Sequence, residues 1–126
     1  MDKILTSVNW PAVFLGTVLA YGLGMVWFGR IFGRTWAKGS HDIQPPSRPP
    51  LAAMAVQLLG TFLLAWVIGA TAVINAPATA LVLLAAFAAL QIAGGLYSQK
   101  SPAAALIDGG FVLAMGGVMF LAQAVL

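Results

Sequence analysis

The chain has 126 residues, 61% hydrophobic and only 7% charged, where a soluble domain has about 45–50% apolar and about 25% charged residues; together with a mean hydropathy of +0.97, this rules out a water-soluble enzyme. The absence of cysteine removes disulfides, thiolate nucleophiles, Cys-bound zinc and iron–sulfur clusters, and the single histidine, His41, removes bis-His haem ligation within one chain. A net charge of +3 comes from scarce acids rather than abundant bases, and six dispersed cations do not make a nucleic-acid surface.

Residues 10–32 form the first apolar run, with Asn9 placed as an N-cap and Pro11 in the first turn, where its missing N–H costs little. A secretory signal carries its cations ahead of a short apolar core. Here only Lys3 precedes the run, while Arg30, Arg34, Lys38 and Arg48 follow it. The run therefore reads as a retained spanning helix.

The polar loop 33–50 comes next. Arg30, Arg34 and Lys38 recur every four residues and share one helical face, with Ile31, Phe32 and Trp36 opposite. Two readings fit this pattern. One is a short helix in the headgroup layer, with Arg34, Trp36 and Lys38 at the lipid headgroups. The other is an ordinary positively charged flank with an aromatic anchor. Residues 39–50, rich in proline, read as an extended linker.

Three more apolar runs follow at 51–74, 77–97 and 102–126, the last capped by Ser101. About 20 residues suffice for a helix to cross the hydrocarbon core. None of the runs alternates with period two, so a barrel does not compete. The fold expected is all-α, a single domain made of an up-down bundle of four transmembrane helices, because the short connections force antiparallel neighbours. The loop 33–50 and the turn 98–101, with the inner end of the first span, hold five cations, and the other side holds one, Lys3. The cation rule then puts both termini in the periplasm of a bacterial inner membrane.

Small residues form ladders: Gly16, Ala20 and Gly24 on the first span, Thr61, Ala65 and Gly69 on the second, and Ala85, Ala89 and Ala93 on the third. The fourth carries two doublets, Gly109-Gly110 and Gly116-Gly117. Lipid offers little hydrophobic drive between helices, so close approach at small residues supplies the packing. The doublets present small surface on two faces, one for the bundle and one for a second chain.

Polar side chains in the spans fall at one depth. Gln57 lies six residues into the second span, Gln91 six before the end of the third, and Asp108 six beyond Pro102. At 1.5 Å per residue each is about 9 Å inside the same boundary. Trp27 and the long side chain of Arg30 can reach this layer from the first span. Asp108 must be neutralised, hydrogen-bonded or paired with Arg30, since an unmatched carboxylate costs several kcal/mol in lipid. It serves as a clamp between helices, as part of a relay or binding site, or as a contact with another subunit. No nucleophile–base pair, metal-ligand cluster or phosphate loop accompanies it, so neither an enzyme nor a cofactor is expected.

The residue pattern is also familiar as a set. Asn9-Trp10, then Gly24-Met25-Val26-Trp27-Phe28, Phe32-Gly33-Arg34-Thr35-Trp36 and Ala105-Leu106-Ile107-Asp108-Gly109-Gly110-Phe111, with Gly116-Gly117 beyond, resemble small bacterial four-span membrane proteins grouped as domain of unknown function seventeen sixty-one. Both ends of the chain carry the resemblance more than the two middle spans. Phe28 and Phe111 stand where tyrosine is expected. The resemblance implies the four-span fold and singles out Trp27, Trp36 and Asp108, but it implies no reaction.

Two functions follow as expectations. The first is a non-enzymatic membrane protein acting by association, as an accessory subunit or a homo-oligomer, with lipid and other membrane subunits as partners. The alternative is a small transporter or channel with a polar site at Asp108, Gln57 and Gln91.

Overall fold

The computed structural model describes residues 6–126; Lys3, the lone cation counted on one side, lies outside them. Helix α1 (Trp10–Val26) runs into a π-helical turn (Trp27–Ile31), and a short helix α2 (Gly33–Gly39) follows. Helices α3 (Leu51–Val73), α4 (Pro77–Tyr97) and α5 (Pro102–Val125) complete the chain. Among the described residues there is no strand, and four helices are long and apolar enough to cross a membrane: Trp10–Ile31, Leu51–Val73, Pro77–Tyr97 and Pro102–Val125. The fold is the expected all-α, four-span, up-down bundle.

Helix starts follow the local chemistry read from the sequence. Asn9 Oδ1 accepts from the Ala12 N–H at 3.2 Å, and Ser101 Oγ from the Ala104 N–H at 3.1 Å. Each bond satisfies a donor that the first turn leaves open. Prolines occupy the first turns of α1, α4 and α5. The turns between α3 and α4 and between α4 and α5 pass through Asn75 and Gln99, both with positive φ.

Helix α5 is the axis of the bundle. It packs against α1, α2, α3 and α4 and buries residues along most of its length. Gly16 and Gly24 of α1 meet Met119 and Phe111, so the paired residues run in opposite senses and the helices are antiparallel. Gly95, Ile92 and Leu84 of α4 meet Ala105, Gly109 and Gly116 in the same way. At Gly109 and Gly116 a Cβ would overlap Ile92 and Leu84. Absent side chains thus bring the backbones together, and dispersion contacts hold them.

Six of the seven glycines expected to mediate packing, Gly16, Gly24, Gly69, Gly109, Gly110 and Gly116, do contact another helix of the same chain or the π-turn. Gly117 faces open space. The ladder expected on the third span is corrected. Ala85 and Ala89 are exposed, whereas Ala80, Leu84, Ala88 and Gly95 are buried. The interior face of α4 is offset by one residue, because alanine is equally at home against lipid and gives a ladder no fixed direction.

Two ends can be distinguished. The terminus end holds Trp10 and the turn at Asn75; the loop end holds α2 and the turn at 98–101. Helix α3 differs between them. From Thr61 onward it buries Thr61, Ala65, Ile68, Gly69 and Thr71, but residues 51–60 are exposed throughout.

Candidate functional site

The densest polar cluster lies at the loop end, where α2 folds back on α5. The fold-back begins at the π-turn, closed by the Phe32 N–H bonding to the Trp27 carbonyl at 3.0 Å. Gly33 follows, and a side chain there would come within 2.8 Å of the Phe28 carbonyl oxygen. Glycine is therefore what lets the chain leave the span and enter α2 so abruptly. At its far end α2 is pinned by the Ser101 N–H donating to the Gly39 carbonyl at 2.9 Å. A Cβ on Gly39 would overlap Ser101 and Ala104. His41, in a left-handed turn, lies 2.7 Å from the Ser98 carbonyl through Nε2.

This placement delivers Trp36 to Asp108. The indole Nε1 donates to Oδ1 at 2.8 Å, and Lys100 Nζ reaches Oδ2 at 2.9 Å. The carboxylate is 16% exposed and the lysine 23%. Lys100 also lies over the Trp36 ring, 5.2 Å from its centroid. The three side chains thus form a closed triangle of hydrogen bond, ion pair and cation–π contact. Trp27 fixes the neighbouring turn of α5, its Nε1 donating to the Ile107 carbonyl at 3.1 Å.

Rings shield the triangle. Phe28 meets Trp36 edge-on at 5.2 Å between centroids and Phe111 at 5.1 Å. Phe111 in turn lies 6.1 Å from Trp27. Where tyrosines would have brought two hydroxyls, this chain has two apolar rings in edge-to-face contact.

The expected polar layer is corrected. Arg30 is exposed and does not reach Asp108. Gln57 is exposed and its amide donates to Thr61 of its own helix at 3.4 Å. Gln91 is exposed as well. Equal depth does not put residues on facing sides, and the side of α5 carrying Asp108 is covered by α2 rather than by a neighbouring span. Trp36, expected among the headgroups, turns inward. Arg34 and Lys38 of the same helix stay exposed on its outer face.

Trp27, Trp36 and Asp108, the residues singled out by resemblance, therefore converge at the loop end. The chain matches the family described as protein of unknown function (DUF1761) over residues 11–124. It belongs to that family. No curated protein and no solved structure matches the chain. The DUF1761 match covers the two middle spans as well as the ends.

Sequence reasoning missed Lys100 as the partner of Asp108. The signal was present: Lys100 precedes Asp108 by about two helical turns, and a lysine beside a span end bends its stem back along the helix. Among the described residues no group of three His, Cys, Asp or Glu is placed to hold a metal. What the triangle can do chemically is hold α2 and the 98–101 turn to the axial helix.

Proposed function

We propose that the protein is a non-enzymatic integral membrane protein that works by association, as an accessory subunit of a larger membrane complex or as a homo-oligomer. The observation that carries this reading is the exposed loop half of α3, residues 51–60. Gln57 continues the line of the buried residues Thr61, Ala65 and Ile68 at helical spacing. Gln91 continues the line of Leu84, Ala88 and Gly95. The α3 line thus runs into a stretch that its own chain leaves exposed, and on α4 Gln91 is an exposed amide between buried Ala88 and Gly95. Amides in lipid favour a partner helix that matches them.

The reading as transporter is less well supported. The Asp108 carboxylate has both oxygens engaged by Trp36 and Lys100, and α4 and α5 carry no ionisable side chain between it and the terminus end. A relay needs successive groups along a path.

Purification of the intact protein in mild detergent tests the reading. A stoichiometric companion, or a second copy, is expected with the wild type and is lost in the Gln57→Leu/Gln91→Leu variant. A wild type that elutes as a bare monomer overturns it. The proposed setting is a bacterial inner membrane with both termini outside, supported by the cation asymmetry. Asp2→Cys should react with an impermeant thiol reagent in cells opened at the outer membrane, and Asp42→Cys should not. The opposite pattern reverses the orientation.

A further inference from the structure

The loop end also carries a cationic surface that the Asp108 cluster does not use. Among the described residues Arg30, Arg34 and Lys38 take part in no ion pair or hydrogen bond. The two carboxylates described are remote from this role: Asp108 is held by Lys100, and Asp42 lies exposed in the loop. Three unmatched cations therefore stand on one face where the first span leaves the membrane.

The surface between them is concave. Gly29, Arg30, Ile31, Arg34 and Thr35 line one open cleft of about 540 Å³. A second, of about 560 Å³, is lined by Arg34, Thr35, Lys38, Gly39 and Ser101. Arg34 and Thr35 belong to both, so the two are halves of one trough. Guanidinium forks and a hydroxyl are the donors that phosphate oxygens accept best. The opposite flank is apolar. Gly22 and Gly29 have nothing near the position of a Cβ, and Met25, Val26 and Ile31 between and beside them are exposed. Gly22, Met25, Val26 and Gly29 share one side of the helix by their spacing of three and four, and Ile31 lies at the edge of the trough. A cationic trough therefore adjoins an apolar, notched flank, which suits an amphipathic ligand better than a free anion.

We propose that the trough framed by Arg30, Arg34, Thr35 and Lys38 binds the phosphate headgroup of an anionic phospholipid whose acyl chains lie along Gly22, Met25 and Val26. The site differs from a general attraction of basic loops to anionic lipid in depending on the cations that line the trough. Arg48, in the same loop, does not line it.

The test is lipid retention by the full chain, reconstituted with equal phosphatidylglycerol and phosphatidylcholine and read by native mass spectrometry. The wild type should keep phosphatidylglycerol in several-fold excess. Arg30→Gln/Arg34→Gln should abolish most of that excess, at about five-fold for each cation near the surface. Arg48→Gln and millimolar inorganic phosphate should leave it unchanged. If the double variant fails to insert, Lys38→Gln on the rim supplies the reading: a clear fall in the excess supports the site and no change overturns it. Equal retention of both lipids by the wild type overturns the proposal. So does an equal loss in Arg48→Gln, which would mean diffuse charge, or displacement by inorganic phosphate, which would mean a free-anion site.

Discussion

At the terminus end, Trp10 and Phe14 of α1 meet Phe62 and Trp66 of α3, with centroids 5.2–6.3 Å apart. At the loop end, Trp27, Phe28, Trp36 and Phe111 form a second group of rings, but this one surrounds a carboxylate with its two donors. The first group joins two spanning helices through side chains one turn apart on each. The second recruits a helix that does not span, through an indole N–H and a lysine drawn in from a turn. Ring packing suffices where α1 and α3 run side by side. Where α3 is exposed, over residues 51–60, polar bonds take over and α2 packs beside α5.

Overpacking the axial contact should have the largest effect, since it acts between the ends and on both. In Gly116→Leu the new side chain collides with Leu84. A loss of about 3 kcal/mol is expected by thermal denaturation in detergent. Gly117→Leu, one residue away but facing open space, is the control and should change stability by about 0.5 kcal/mol or less.

Breaking the loop end alone comes next. Asp108→Leu removes the acceptor of Trp36 and the partner of Lys100, and should cost about 2 kcal/mol, for the interhelical bond to Trp36 and the bond to Lys100 in the 98–101 turn. Asp108→Asn keeps an acceptor for the indole and should cost about 1 kcal/mol. With companions retained on purification, the Asn variant should also retain function in the host. A stable, fully assembled Asn variant that is functionally null would instead assign the charge of Asp108 to transport.

The terminus end should respond more weakly to a single change. Phe62→Leu keeps apolar volume but removes ring contacts with Trp10, Phe14 and Trp66. A loss of about 1 kcal/mol is expected, with no change in cross-linking between α2 and α5. A loss as large as that of Asp108→Leu would erase the distinction between the two ends.

The legibility of the fold follows the same division. Span limits, caps at Asn9 and Ser101 and antiparallel order were readable because each depends on neighbours in sequence. Glycine contacts were readable too, since only glycine makes room for Ile92 and Leu84. Side-chain direction was less so. Gln57, Gln91 and Asp108 share a depth, yet only Asp108 meets a polar partner from another element, because Gln57 and Gln91 lie on exposed sides of their helices. Placing Trp36 opposite the Arg34 and Lys38 face correctly gave it an inner side, but the headgroup expectation ignored what lay there. The fold-back at Phe32 and Gly33 decides that, and it depends on a π-turn that hydropathy does not register.

A double-mutant cycle between Trp36 and Asp108 tests most directly whether α2 is tethered to the axial helix. Trp36→Phe removes the indole donor and Asp108→Leu the acceptor, and stability in detergent is measured for both and for the pair. The tether predicts that the second substitution costs about 1 kcal/mol less once the first is present. Losses that simply add, within about 0.3 kcal/mol, would contradict it.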